Sequence, residues 1–361
     1  MKIKILKSDL VKNIQNVQNV ISSRSSLPIL SNVLIEADKN NIKLTSTDLD
    51  IGIISILTSE IDEPGAITVP AKRFNDIVKE LPDEDILINT LKNNSMSIKC
   101  GKCFFKILGL PKEDFPKLPE FNREPHIVLD QIVLKKMLSM THFSMSHDET
   151  RYVLNGTLFI FKNNQFSMVA TDGKRLSFIK KDLDKEVQEK SIIVPSKAIY
   201  ELNRILKDEG TVKITFSENQ VKFELGNITV ISRLIEGEFP NYEQIIPSPS
   251  KEKMIIQREE MLLGIRRAAL LSTPDSQSVK IEILKDKLII SKSNPNIGEA
   301  KEDMETSYKG PEITVGFNPG YLMDVLKVIP IDELAIEISG PDKPAVLRRQ
   351  DYIYLLLPVK M

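Results

Sequence analysis

A proline-marked segment recurs three times along the chain at nearly constant spacing. Val69-Pro70-Ala71-Lys72 returns as Val194-Pro195-Ser196-Lys197 after 125 residues, and as Phe317-Asn318-Pro319-Gly320 after a further 123 residues. Solenoid repeats have periods of about 20–50 residues, so a spacing this long indicates a copied domain rather than a solenoid. Three similar domains on one chain of 361 residues suggest a quasi-symmetric object whose shape carries its function.

Each copy has the same order of predicted elements. An alternating segment and an amphipathic helix come first, and Ser8 and Asp9 are the predicted helix caps in the first copy. The proline-marked helix then presents apolar residues on one face, as at Phe74, Ile77, Val78 and Leu81. Alternating strands follow, so the pattern predicts an α+β fold of three repeated domains, each with two helices on antiparallel sheets of about eight short strands. Polar, turn-rich stretches place the domains at 1–124, 125–250 and 251–361.

The charge balance is close to neutral, with 49 basic and 50 acidic residues and a net charge of −1. A simple nucleic-acid binder is usually basic, so the chain either has no charged partner or segregates its charge onto different faces. No apolar run approaches the ~18 residues that span a bilayer. Met1–Ile5 alternates like a strand and lacks the apolar core of a signal peptide. These features predict a cytoplasmic protein with no membrane partner.

The two cysteines of the chain form the sequence Cys100-Gly101-Lys102-Cys103. A redox or metal site at this spacing needs a βαβ context or two further ligands, and the flanking residues instead predict two hairpin strands around a glycine turn. We therefore predict no disulfide framework, no metal site and no cofactor.

Asp172-Gly173-Lys174-Arg175 is the segment that most suggests an active site. The repeat weakens that interpretation, because Thr171-Asp172 lies 124 residues after Thr47-Asp48 and both pairs then read as hairpin turns. No P-loop, nucleophile elbow or zinc-protease motif occurs, so we predict no catalytic residues.

The polar faces of the predicted helices carry basic residues in every copy, interrupted by acidic ones. One interpretation is an ordinary solvated helix face. The alternative is a positive surface for phosphates, which the repetition favours, whereas no stacking array or groove-reading helix indicates sequence-specific recognition. The basic residues are Lys72, Arg73, Lys79, Lys135, Lys136, Lys197, Arg204, Lys207, Arg266, Arg267 and Lys327.

Six stretches spread over the chain carry a family resemblance. They are Ser26–Asn32, Thr45–Leu49, Phe143–His147, Arg151–Gly156, Ala170–Leu176 and Glu238–Tyr242. In these stretches, and across all three copies, the chain resembles the bacterial DNA polymerase III β subunit, the replicative sliding clamp. The resemblance implies a non-catalytic, head-to-tail homodimer that closes into a ring around duplex DNA without reading its sequence. It also implies binding of the clamp loader, the replicative polymerase α subunit and other proteins that carry a clamp-binding motif.

Helix counting supports a ring of two chains. Six helices at a spacing of ~10 Å make a circle about 19 Å across, too narrow for a duplex roughly 20 Å wide. Two chains make a circle of about 38 Å, which leaves roughly 28 Å after one helix diameter is subtracted. Two hypotheses compete with the clamp: a DNA-binding protein that does not encircle its substrate, and an enzyme with a site near Asp172–Arg175.

The resemblance implies three sets of functional residues. The DNA contacts fall on Arg24, Lys72, Arg73 and Tyr152. Two further positions near Tyr152, Asp148 and Val153, depart from the family pattern. The peptide pocket falls on Leu154, Thr171, Gly173, Lys174, Arg175, Leu176, Pro240, Ile245, Val346, Leu355, Leu357, Pro358, Val359 and Met361. The dimer interface sets Ile77, Phe105 and Ile107 of the first domain against Leu270 and Leu271 of the third.

Overall fold

A computed structural model describes residues 1–21, 27–121, 124–273 and 276–360. Within these ranges the chain forms two α-helices in each repeat. The helices are α1 (Lys7–Gln18), α2 (Ala71–Glu80), α3 (Gln131–Ser139), α4 (Ser196–Ile205), α5 (Arg258–Ala268) and α6 (Pro319–Val328). No helix in the described ranges combines the length and the apolar character that crossing a membrane requires.

The strands are short and number eight or nine in each repeat of the described chain. The first repeat has β1 (Lys2–Leu6), β2 (Asn32–Asp38), β3 (Asn41–Thr47), β4 (Ile51–Thr58), β5 (Glu60–Glu63), β6 (Gly65–Pro70), β7 (Asp85–Leu91), β8 (Ser95–Cys100) and β9 (Cys103–Leu108). The second has β10 (His126–Asp130), β11 (Gly156–Lys162), β12 (Gln165–Thr171), β13 (Arg175–Asp182), β14 (Lys190–Pro195), β15 (Thr211–Phe216), β16 (Gln220–Leu225) and β17 (Ile228–Arg233). The third has β18 (Lys253–Gln257), β19 (Val279–Leu284), β20 (Lys287–Asn294), β21 (Gly298–Glu305), β22 (Ile313–Phe317), β23 (Glu333–Ile338), β24 (Ala345–Arg348) and β25 (Tyr352–Leu356).

The chain divides into two compact units that do not coincide with the three repeats. Unit 1 contains residues 1–135 and 197–234, and unit 2 contains residues 136–196 and 235–361. Each unit therefore combines one outer repeat with part of the central one. The predicted class of helices and antiparallel sheets is confirmed, while the predicted domain boundaries remain a prediction.

Unit 1 contains two antiparallel sheets. One has the order β5-β1-β7-β8-β9, and the other has the order β10-β15-β16-β17-β4-β3-β2-β6. In the larger sheet β17 of the central repeat pairs with β4 of the first repeat, from Ile228 opposite Ser55 to Ser232 opposite Ile51. The two repeats are thus joined by main-chain hydrogen bonds.

Unit 2 repeats this design. Its larger sheet has the order β14-β11-β12-β13-β25-β24-β23-β18, and its smaller sheet has the order β21-β20-β19-β22. Here β13 of the central repeat pairs with β25 of the third, from Arg175 opposite Leu356 to Ile179 opposite Tyr352. The same kind of strand pairing therefore joins repeat one to repeat two and repeat two to repeat three.

The helix ends differ from expectation in one respect. Helix α1 begins at Lys7, and its cap position is Leu6, whose side chain forms no capping hydrogen bond, so the prediction that Ser8 and Asp9 are caps is wrong. Both residues lie inside the first helical turn because β1 runs into the helix without a connecting loop. Helix α6 has the expected kind of cap, since the Asn318 side chain accepts a hydrogen bond of 2.8 Å from the Gly320 amide.

Candidate functional site

The tight turn between β12 and β13 is the local structure on which the candidate pocket is built. The Asp172 carboxylate accepts hydrogen bonds from the amides of Lys174 and Arg175, at 2.9 and 3.0 Å. The Thr171 hydroxyl donates to the Arg175 carbonyl and accepts from the Gly173 amide. Gly173 has a φ of 84°, a left-handed conformation that favours glycine. The segment is therefore a hairpin turn, as the repeat predicted, and its polar groups are used to hold its backbone.

The Arg175 guanidinium is the centre of a buried polar cluster. It is 7% exposed and donates to Asp172 at 3.0 Å, to Asp324 on α6 at 2.7 Å and to the Phe143 carbonyl. Its central carbon also lies 4.1 Å from the centre of the Tyr321 ring, within the range of a cation–π contact. Burial acts to lower the pKa of Arg175, but the hydrogen bond to Asp324 and the nearby charges outweigh it, and the pKa is raised. Arg175 thus joins the turn to α6 and to the Phe143 carbonyl, and these partners enclose its charge.

An apolar cluster lies beside this turn and is the candidate floor of the predicted pocket. Its buried members are Leu158, Val169, Leu176, Ile193, Val346 and Leu355. Three of these, Leu176, Val346 and Leu355, are in the predicted pocket set. Partly buried side chains pack against the cluster, and they are Val153, Ile160, Phe178, Ile235, Phe239, Tyr242, Ile246 and Ile353.

Most of the remaining predicted pocket residues are accessible and form the candidate rim of the pocket. Leu154 and Thr171 are buried, whereas Ile245, Leu357 and Val359 are exposed by 53, 42 and 42%. Gly173, Lys174 and Pro240 are exposed and Pro358 is intermediate. Buried apolar floors with accessible apolar rims suit the anchoring of leucine or phenylalanine side chains.

Two backbone hydrogen bonds hold the C-terminal segment, one to the turn and one to β22. The Leu357 amide donates to the Lys174 carbonyl at 2.9 Å, and the Val359 amide donates to the Gly316 carbonyl at 2.8 Å. The predicted pocket residue Met361 lies outside the described residues. Leu357 and Val359 are therefore held at the rim by main-chain bonds, which leaves their side chains accessible.

Several residues that shape the pocket were not predicted from the sequence. Asp324 and Tyr321 on α6, with the Phe143 carbonyl, surround Arg175. Ile246 packs against the cluster, whereas its predicted neighbour Ile245 is exposed. The sequence contained one signal for the first two of these residues. Tyr321 and Asp324 lie three residues apart on a predicted helix, so they share one face of it.

The predicted DNA contacts on α2 are accessible. Ala71, Phe74, Asn75 and Val78 form the buried face of this helix, and Lys72 and Arg73 lie on the exposed face. Neither of these two side chains forms an ion pair with a residue of the described ranges, so both charges face solvent. Arg24, the other cation of the predicted set, lies outside the described residues.

The predicted DNA contacts of the central repeat lie on a short 3-10 turn, Glu149–Leu154. Asp148 caps this turn by accepting from the Thr150 amide at 3.0 Å and the Thr150 hydroxyl at 2.7 Å. The hydrogen bond from the Thr150 side chain is the main reason that the pKa of Asp148 is lowered. Arg151, which the sequence did not single out, approaches the same carboxylate at 3.9 Å and offsets part of its charge.

Tyr152 and Val153 differ in surroundings although they are adjacent. Tyr152 is 57% exposed, as a phosphate or sugar contact requires. Val153 packs against the apolar pocket cluster, so its packing supports a place in the pocket wall better than the predicted DNA contact.

Many of the other basic helix residues are neutralised by nearby carboxylates. The pairs are Lys135–Asp208, Lys136–Asp351, Lys197–Asp48, Arg204–Glu201 and Arg267–Glu302. For these residues the ordinary solvated-face interpretation is the better one. Exposed ion pairs of this type contribute little to stability and remain available to exchange partners.

The predicted interface residues lie in both units. In unit 1, Phe105 is 38% exposed on the edge strand β9, and Ile77 and Ile107 are partly buried. In unit 2, Leu270 is 78% exposed at the end of α5, and Leu271 is partly buried. A leucine as exposed as Leu270 has little of its surface shielded from water within its own chain.

Comparisons with known proteins agree over the whole chain. Family models match residues 1–119 (DNA polymerase III beta subunit, N-terminal domain), 128–241 (central domain) and 243–359 (C-terminal domain). The chain is 32% identical over 366 residues to the beta sliding clamp of Vibrio cholerae, with all of both chains covered. It is 33% identical over 374 residues to that of Staphylococcus epidermidis, covering 100% of this chain and 99% of the relative.

Solved structures give the same result. The sliding clamp of Bartonella birtlesii bound to griselimycin superposes with a TM-score of 0.96 at 33% identity, with all of both chains covered. The sliding clamp of Bacillus subtilis superposes with a TM-score of 0.96 at 32% identity, covering 100% of this chain and 99% of that one. With three matching domain models, full-length relatives and this fold, the chain belongs to the DNA polymerase III beta subunit family, the bacterial sliding clamps.

Proposed function

We propose that this chain closes head to tail with a second copy into a ring around duplex DNA in the cytoplasm. The ring tethers the replicative polymerase through the pocket of unit 2, and the same pocket serves the clamp loader and other proteins with a clamp-binding motif. As a member of its family the chain is a DNA polymerase processivity factor and has no catalytic role of its own.

The observation that supports ring closure is a pair of open sheet edges. Strands β9, β17 and β25 are equivalent in the three repeats, and so are β4, β13 and β21. Strand β17 pairs with β4, and β25 pairs with β13. Strands β9 and β21 are the two that remain. Among the described residues each of them has a neighbour on one side, β8 for β9 and β20 for β21. Each therefore offers an unpaired row of main-chain donors and acceptors of the kind that another chain can extend.

The pairings within the chain also predict the register between β9 of one copy and β21 of the other. Gly52, Leu176 and Gly298 are equivalent, because each is the first paired residue after the hairpin turn of its repeat. Their partners across the turn are Thr47, Thr171 and Asn294. Gly52 faces Ile231, which is three residues past the hairpin-closing Ile228. The residue three past the hairpin-closing Cys103 is Lys106. We therefore expect Lys106 of one copy opposite Gly298 of the other, and Phe104 opposite Ala300.

Charge and apolar surface both suit this pairing. Strand β9 carries Lys106 and follows Lys99 and Lys102, whereas β21 is acidic, with Glu299, Glu302, Asp303 and Glu305. Opposite charges on two edges steer them together and disfavour the pairing of each edge with itself. The exposed side chains of Phe104, Phe105 and Leu108 add apolar surface to β9, as Ile297 and Leu270 do in unit 2.

A cross-linking experiment tests the register. In a background without Cys100 and Cys103, the pair Phe104→Cys and Ala300→Cys should give a covalent dimer on oxidation, because directly opposite residues share one sheet face. The control pair Phe104→Cys and Lys301→Cys should cross-link far less, since neighbouring residues on a strand point to opposite faces. Equal yields from the two pairs would contradict the proposed register.

Retention on DNA tests encirclement. Once its loader has placed it on a closed circle, the protein should stay bound at high salt and slide off when the circle is linearised. A protein that binds DNA without encircling it would instead leave both forms equally as salt rises, because its affinity would depend on phosphate contacts.

The pocket is tested with two leucines of similar exposure in unit 2. Leu357 at the rim is 42% exposed, and Leu263 on α5 is 40% exposed. Leu357→Ala should weaken binding of a polymerase-derived peptide by about tenfold, the effect of losing one apolar anchor. Leu263→Ala should leave the affinity unchanged. Deletion of 357–361 should abolish binding while the dimer persists, and normal affinity after this deletion would refute the assigned site.

A further inference from the structure

The two cysteines of the chain face each other across a hairpin. Cys100 ends β8, Cys103 begins β9, and they are the closing pair of a two-residue turn in which Gly101 has a φ of 52°. Both are free thiols. Directly opposite residues in an antiparallel pair place their side chains on the same face, so the two thiols are immediate neighbours.

The surroundings of the two thiols differ. Cys100 is 1% exposed and its thiol donates a weak hydrogen bond of 3.5 Å to the Pro82 carbonyl. Burial, followed by the charge of Glu84, raises the pKa of the Cys100 thiol and makes it the poorer nucleophile at neutral pH. Cys103 is partly exposed at the start of the edge strand, where a small oxidant reaches it more easily.

The position of Cys103 on β9 connects the pair to assembly. Alternation along the strand puts Cys103, Phe105 and Ile107 on one sheet face. Phe105 and Ile107 lie opposite the buried residues Ile98 and Met96. This is the apolar row that would meet the second copy, and Cys103 is its first member.

We propose that Cys100 and Cys103 form a reversible intramolecular disulfide on exposure to a peroxide, and that this bond weakens closure of the ring. The effect on assembly rests on the proposed ring, whereas the oxidation itself does not. Disulfides in a reducing compartment are usually transient and redox-sensing, which is the role assigned to this pair.

The chemistry balances with hydrogen peroxide as oxidant. The Cys103 thiolate attacks one peroxide oxygen, the O–O bond breaks, and the products are a sulfenic acid and, after protonation, one water. The Cys100 thiol then displaces the sulfenic hydroxyl as a second water and the S–S bond forms. The two sulfurs together lose two electrons, which reduce the peroxide, and a thiol reductant reverses the reaction.

The geometry of a disulfide explains how oxidation would move β9 away from a partner strand. Opposite Cβ atoms in a hydrogen-bonded pair are about 5.5 Å apart, whereas a disulfide requires about 3.8 Å. Closing the bond draws the start of β9 toward β8 and away from a partner strand. The main-chain pairing at Phe104 and Ala300, next to the hairpin tip, is the first that this movement would disturb.

The test measures oxidation and assembly separately on the full-length protein. After peroxide treatment, intact mass and non-reducing electrophoresis should show a monomeric chain that has lost two hydrogens. Sedimentation should show a dimer dissociation constant raised about tenfold, and dithiothreitol should restore it. Cys100→Ala leaves Cys103 and the row that meets the second copy in place, so it should keep the reduced dimer and show no such response. Cys100→Ser provides a second variant if the alanine disturbs the hairpin.

The coupling also runs in reverse. If oxidation weakens the dimer, the dimer must equally disfavour the disulfide, so the fraction oxidised at equilibrium in a thiol–disulfide buffer should fall as the protein concentration rises above the dissociation constant.

Three results would overturn the proposal: thiols that persist or become separate sulfinic acids, a disulfide between two chains, or an intramolecular disulfide that leaves the dissociation constant unchanged. A reduced protein that never dimerises would overturn the ring and the effect on assembly together, and the mass measurement would still decide whether the disulfide forms.

Discussion

The hairpin turns at Thr47–Ile51 and Thr171–Arg175 are the same structure built twice and used differently. In each, a threonine hydroxyl donates to the carbonyl four residues on, and an aspartate accepts two backbone amides. The third position has a φ of 83° in the first turn and 84° in the second. That position is Leu49 in the first turn and Gly173 in the second, so the shared backbone does not depend on glycine.

The difference between the turns lies in what their aspartates contact. Asp48 pairs with Lys197, whose side chain is 45% exposed, whereas Asp172 pairs with the buried Arg175. The residue equivalent to Arg175 is Ile51, since 175 − 51 = 124. One substitution in a copied turn therefore separates a partly exposed ion pair from a buried polar cluster beside the candidate pocket.

The largest effect that we expect comes from removing the buried guanidinium. Arg175→Met should lower the free energy of unfolding by roughly 3–5 kcal/mol, because Asp172 and Asp324 lose the charge that pairs them. Lys197→Met breaks the matching pair in the first turn and should cost no more than about 1 kcal/mol, since that pair is partly solvated. Denaturant unfolding of both variants measures the difference, and equal losses would mean that the two turns are energetically alike.

A smaller effect should follow from Gly173→Ala. A left-handed φ costs an L-residue roughly 1–2 kcal/mol, and the added Cβ would lie 2.8 Å from Arg151 Nη1. That atom is the far end of a flexible side chain and can move, so strain accounts for most of the loss. Thermal unfolding gives the stability, and peptide titration should show weaker binding at the rim.

The reciprocal change in the first turn should act in the opposite direction. Leu49→Gly relieves a similar strain, but glycine adds roughly 0.5–1 kcal/mol of conformational entropy to the unfolded chain. The net result should be a stability gain between zero and about 1.5 kcal/mol. A clear destabilisation would show that the exposed Leu49 side chain contributes contacts that outweigh its strain.

One further effect is confined to alkaline pH. Tyr242 occupies the position equivalent to Leu118, since 242 − 118 = 124, and it stacks on Phe178 with ring centres 5.9 Å apart. Burial, then the charge of Glu243, raises the pKa of Tyr242 to about 12. A raised pKa favours the neutral phenol, so this stabilisation is complete below the unfolded value of about 10 and is lost as pH rises through about 12.

Tyr242→Phe keeps the ring and removes the titration. Relative to this variant, the wild type should lose stability between about pH 10 and pH 12, which denaturant unfolding at several pH values would detect. Parallel pH profiles for the two proteins would contradict the prediction.

The sequence predicted local structure well wherever a short pattern decides it. The proline-marked helices, the glycine turn between the cysteines and the Asp172 turn follow from neighbouring residues, and all are present. The predicted caps Ser8 and Asp9 failed because β1 continues directly into α1, a junction that cap preferences do not describe. In the pocket set, the family resemblance gives Ile245, which is exposed, while its neighbour Ile246 packs against the apolar cluster. Adjacent isoleucines in a loop carry no periodicity from which their burial could be predicted.

What the sequence alone determined is the threefold repeat, the α+β class and, through specific motifs, the sliding-clamp family. What only the tertiary structure decided is which strands meet: β17 with β4, β13 with β25, and β9 and β21 left as open edges. It likewise decided that Arg175 is enclosed by Asp324, 149 residues away. The physical reason is that periodicity fixes which face of a strand is buried, whereas its neighbour is selected by packing between distant segments.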